Sequence, residues 1–69
     1  MDFNKYSAFG VIRIEGNNII LYEDNNNYRT VYVSEPVKDA RWAGNDLNVT
    51  LSDGKIRRYK DFNNYSTIY

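Results

Sequence analysis

The 69-residue sequence has no cysteine and no histidine, and only one proline and one tryptophan. Without cysteine no disulfide can staple the fold. Without cysteine and histidine the usual zinc ligand sets cannot be assembled. The same absences remove the commonest general base and the commonest nucleophile. The expectation is a non-catalytic protein with no cofactor and no metal site. No stretch approaches the ~20 apolar residues of a membrane span. The first ten residues, MDFNKYSAFG, lack the basic start and apolar run of a signal peptide. The expectation is therefore a soluble, cytoplasmic protein with no membrane partner.

A chain of this length forms a single domain, residues 1–69. Such domains bury only about 60% of their unfolded surface, which leaves a thin core. Small folds with neither disulfide nor metal often gain stability by associating. A homo-oligomer is thus expected by subtraction.

Charge of either sign is not in excess, since nine basic residues balance nine acidic ones. That balance counts against a dedicated nucleic-acid binder, which is usually basic. The halves differ. Residues 1–35 carry Lys5, Arg13 and Arg29 against five carboxylates, and residues 36–69 carry six basic residues against four acidic ones.

What the chain does have is short β-rich segments between turns. Leu47, Val49 and Leu51 alternate with Asn48, Thr50 and Ser52, the period of a half-buried strand. Asp53-Gly54 suits a two-residue hairpin turn, and Lys55–Lys60 is the return strand. That turn would set Leu51 opposite Ile56 and Val49 opposite Arg58. An arginine on the apolar face implies either a bulge that shifts the register after Ile56 or, the favoured reading, an Arg58 at the sheet margin with its stem on the core and its head in water.

Upstream, Ala8–Glu15, Ile19–Tyr22, Tyr28–Val33 and Val37–Trp42 read as strands, with breaks at Gly16–Asn18, Glu23–Asn27, Ser34–Pro36 and Ala43–Asp46. Met1–Ser7 reads as a tail, a short turn or an edge strand. Phe62–Tyr69 reads as a short helical turn followed by an edge strand. No segment has helical periodicity. The expected class is all-β, a small barrel or sandwich of about six short antiparallel strands.

A faint repeat at an offset of 28 sets Arg13, Gly16, Asn17 and Arg29 against Arg41, Gly44, Asn45 and Arg57. It suggests two similar three-stranded meanders, 8–35 and 36–63. The predicted core is Ile12, Ile14, Ile19, Leu21, Val31, Val33, Ala40, Trp42, Leu47, Val49, Leu51 and Ile56.

Asp24–Asn27 opens like a calcium loop but lacks the glycine and the closing glutamate at the required spacing. Seven tyrosines exceed what a thin core can hold. Tyrosine joins a large contact area to a polar tip and favours interfaces, and exposed strand edges invite an added strand. The favoured reading is a small binding module acting through protein–protein association, as an inhibitor, adaptor or assembly component. Its candidate residues are Tyr22, Tyr28, Tyr32, Arg41, Arg57, Arg58, Tyr59, Lys60, Tyr65 and Tyr69. The alternative is a nucleotide or single-stranded nucleic-acid partner held by Arg41, Trp42, Arg57, Arg58, Tyr59 and Lys60, basic residues beside stacking platforms.

Overall fold

The computed structural model describes residues 3–69. A six-residue helix, α1 (Asn4–Phe9), precedes seven strands: β1 (Ile12–Glu15), β2 (Asn18–Tyr22), β3 (Tyr28–Tyr32), β4 (Val37–Ala43), β5 (Asp46–Leu51), β6 (Ile56–Tyr59) and β7 (Tyr65–Thr67). They form two antiparallel sheets, β1-β2-β3 and β4-β5-β6-β7. The class is all-β, in a sandwich that does not close into a barrel. Among the described residues no helix is long and apolar enough to cross a membrane.

The two meanders share one register. Ile12 faces Leu21, Ile19 faces Val31 and Tyr22 faces Tyr28 in the first. Twenty-eight residues on, Ala40 faces Val49, Leu47 faces Tyr59 and Thr50 faces Ile56. Gly16 and Gly44 both turn with positive φ, 59° and 64°. That backbone conformation costs glycine little.

Several expectations are corrected. Ala8–Glu15 is not one strand: Ala8 and Phe9 end α1, and β1 begins only at Ile12. The helix stops where Gly10 turns left-handed at φ 81° and its N–H caps the Tyr6 carbonyl at 2.9 Å. Of the stretch Met1–Ser7, residues 1 and 2 lie outside the described residues; Phe3 leads into the helix as a fully buried side chain. At the other end, Asp61–Asn64 is a turn held by its aspartate and not a helical one, while β7 is an edge strand paired to β6 of its own chain.

The hairpin register also differs. Leu51 N–H bonds the Lys55 carbonyl at 2.8 Å and Gly54 N–H bonds Leu51 at 3.0 Å, so three residues turn instead of two. Gly54 takes φ 95°, as in a hairpin that closes with a glycine bulge. The extra residue reverses every side chain that follows. Thr50 now faces Ile56, Val49 faces Arg57 and Asn48 faces Arg58. Arg58 therefore points outward, and Arg57 is the arginine on the apolar face. Ile56 likewise leaves the predicted core for the outer face.

Between the sheets, Ile19, Leu21, Val31, Val33, Leu47, Val49 and Leu51 are buried as their alternation requires. Ile12, Ala40 and Trp42 pack against them half-buried. Ile14 is exposed, because β1 is a sheet edge. The rest of the core is aromatic: Phe3, Tyr6 and Tyr59 are buried, and Phe62 packs on them. Phe3 meets Trp42 edge-on at 5.5 Å and Phe62 at 4.9 Å. The sheets touch along β1 and β4, where Val37 N–H bonds the Gly16 carbonyl at 3.1 Å. On the opposite side, β3 and β7 are both unpaired edges among the described residues.

Candidate interaction cleft

The open side of the sandwich holds the site. Arg29 and Arg57 occupy equivalent positions in the two meanders, opposite Leu21 and Val49. Arg57 is largely buried and Arg29 stays exposed, but both lie over an aromatic ring: Arg29 over Phe62 and Arg57 over Tyr65, each at 4.4 Å. For Arg57, such stacking lets the guanidinium leave water at reduced cost. Arg57 also crosses the gap between the sheets. Its Nη1 donates to the Val33 carbonyl at 3.0 Å and to the Tyr59 hydroxyl at 3.2 Å, while Nη2 pairs with Glu35.

A groove of about 420 Å³ runs along the free edge of β3. Tyr28, Arg29, Thr30 and Tyr32 form one wall, and Phe62 and Asn63 form the other. A second hollow of about 290 Å³ continues it past Ser34, Arg57 and Tyr65, sharing Tyr32, Phe62 and Asn63. The facing wall is rigidly built. Asp61 Oδ1 accepts the backbone N–H groups of Asn63 at 2.8 Å and Asn64 at 2.9 Å, and its carboxylate also takes the Asn64 amide. The Asn64 side chain first, then the Asn63 backbone N–H, hold the Asp61 carboxyl below its ordinary range. Asp24 does the same in the β2–β3 loop with Asn26 and Asn27 and is shifted in the same direction, chiefly by the Asn27 side chain.

No protein-family model, curated protein or solved structure matches the chain. The site must be read from its own geometry.

The structure brings together five of the residues singled out from sequence. Tyr28 and Tyr32, 62% and 74% exposed, flank the groove, while Arg57, Tyr59 and Tyr65 line its continuation. The other five lie elsewhere. Tyr22 sits behind Tyr28, ring to ring at 5.6 Å. Arg41 pairs with Asp39 at 2.9 Å, and Arg58 pairs with Asp46 at 2.8 Å, both on the outer face of the second sheet. Lys60 is exposed beyond the end of β6, and Tyr69 is 81% exposed at the chain end. The basic cluster around Tyr59 is thus divided between two faces, and three of its arginines have carboxylate partners. Trp42 belongs to the interior packing beside Phe3.

Arg29, Phe62 and Asn63 were not among the sequence candidates. A sequence signal does point to the segments that carry them. Tyr22–Tyr32 (YEDNNNYRTVY) and Tyr59–Tyr69 (YKDFNNYSTIY) match at an offset of 37. The match repeats the aspartate-held loop and ends each copy in Tyr-X-Thr-X-Tyr. Those two endings are the two edge strands on the open side, β3 itself and β7 with the two residues that follow it.

Proposed function

We propose that the protein is a small binding module that receives an extended segment of a protein partner along the β3 edge. The observation carrying this reading is the groove itself: an unpaired strand edge, walled on its far side and flanked by two exposed tyrosines. An added strand there gains main-chain hydrogen bonds from the edge and side-chain contact from the tyrosines. Tyrosine provides contact area at small entropic cost, because only two torsions are fixed. The stacked arginines and the aspartate-held loop keep the walls in place before a partner arrives, which lowers the cost of binding.

Photo-crosslinking tests this. A benzophenone amino acid at Tyr32 should give a discrete protein adduct in lysate of the protein's own cells. The same group at Ile14, exposed on β1, should not. Equal labelling from both positions, or none from Tyr32 in a folded chain, defeats the reading. Mass spectrometry of the adduct states whether the captured chain is foreign or a second copy.

A further inference from the structure

We infer that the β3 edge takes a second copy of this chain, strand to strand and antiparallel, about a two-fold axis at Thr30; this rests on the reading of that edge as an interface. The argument begins with hydrogen-bond direction. Glu23 bonds Asn27 at one end of the β2–β3 ladder and Val33 bonds Asn17 at the other. Bonded pairs alternate along an antiparallel ladder. Arg29 and Val31 therefore direct their backbone groups to β2, opposite Leu21 and Ile19. Tyr28, Thr30 and Tyr32 direct theirs away from the sheet, into the groove.

A partner strand must pair through those three residues. The sequence Tyr-Arg-Thr-Val-Tyr reads the same in both directions at the positions that matter. A two-fold at Thr30 sets Tyr28 opposite the partner's Tyr32, and Thr30 opposite its own copy. Aromatic–aromatic and Thr–Thr pairs are favourable across strands. Charge permits it. Arg29 is the only charged residue of β3 and would face the partner's Val31, and the chain carries no net charge to repel its copy. Of the devices that blunt an edge, a lysine, a proline and a bulge are absent from Tyr28–Tyr32, and its one charge, Arg29, is held over Phe62.

Area sets the strength. An aromatic side chain buries about 150–250 Å² when fully covered. Partly exposed Tyr28 and Tyr32 together offer about 300 Å² per copy, against about 800 Å² per partner in a standard interface. The dimer is therefore weak and concentration-dependent. The β7 ending has the same Tyr-X-Thr-X-Tyr pattern, but β7 is only three residues long and only its first residue, Tyr65, lines the cleft.

The chain has no cysteine, so one introduced thiol reports one position. Bonded antiparallel partners lie about 5.5 Å apart at Cα, inside the range a disulfide spans. Under mild oxidation Thr30→Cys should convert largely to a covalent dimer, while Thr67→Cys on β7 should stay mostly monomeric. Light scattering should show the wild-type mass rising above 8.1 kDa over a hundredfold range of concentration. Thr30→Pro should remain at one chain, since its outward N–H is not used within its own sheet. If that variant misfolds, the cysteine pair still decides the matter. A wild type that stays monomeric throughout, or equal cross-linking from Thr67→Cys, overturns self-pairing. A foreign adduct from Tyr32 beside a monomeric wild type would sink this inference and leave the binding-edge reading standing.

Discussion

At the residue scale, Arg57 decides more than any other side chain. Its position follows from one additional residue in the β5–β6 turn, which exchanges the inward and outward faces of β6. Only 12% of its side chain is exposed, and it is the group that ties β6 to the carbonyl of Val33 and to Glu35. Two interactions compete for credit. Glu35 is 44% exposed, so water can replace its partner, and such pairs contribute about 0–1 kcal/mol. The Val33 carbonyl has less recourse, because Val33 is buried. A buried acceptor stripped of its donor costs about 1–3 kcal/mol. Arg57→Met keeps the aliphatic stem and removes the donors together with the stacking on Tyr65. It should lower stability in urea titration by about 1–3 kcal/mol, and Glu35→Gln by less than about 1 kcal/mol. The reverse ranking would mean that the ion pair, not the carbonyl bond, joins the sheets.

At the scale of elements, the strands were legible because their burial alternates. In β5 every second side chain is buried, as Leu47, Val49 and Leu51 foretell. Helix α1 was not legible. Six residues span fewer than two turns, too few to show a 3.6 period, and Gly10 read as part of a strand instead of a helix stop. The register of the β5–β6 turn was misread because Asp-Gly serves two-residue and three-residue turns alike, and only the placement of the following side chains separates them. The cleft was half legible. Tyrosine excess pointed to its rim, but the facing wall depends on a loop, Asp61–Asn64, whose meaning lies in its likeness to Asp24–Asn27.

That likeness carries a prediction. Both aspartates titrate below their unfolded value because amide donors favour the charged form. A lowered folded pKa contributes stability that is complete above the unfolded value of about 3.9 and is lost as pH falls through the lower folded one. Urea midpoints should therefore drop as pH is taken from about 5 to about 2. Asp24→Asn combined with Asp61→Asn should lower the midpoint at neutral pH and flatten that drop. An unchanged slope in the double variant would place the acid sensitivity in other carboxylates.

At the scale of the whole molecule, the fold is a curl of seven strands joined on one side and open on the other, and the N-terminal segment plugs it. Phe3 is completely buried, with its ring against Trp42 of the second sheet and Phe62 of the cleft wall. Tyr6, on the helix that follows, packs on Phe62 at 5.4 Å. The helix is too short to be stable alone. It is held by these rings, and in return it fixes Phe62 beneath Arg29. A chain of this size is stable by roughly 3–10 kcal/mol, whereas emptying a buried phenylalanine site costs about 3–5 kcal/mol. Phe3→Ala should therefore remove much of the total stability, and Phe3→Leu should restore most of it by refilling the volume. Urea unfolding followed by Trp42 fluorescence reads both, since the tryptophan lies against the altered ring. A loss under about 1 kcal/mol for Phe3→Ala would show that the strands hold their curl unaided. The groove would then owe its facing wall to the Asp61 loop alone, not to the helix behind it.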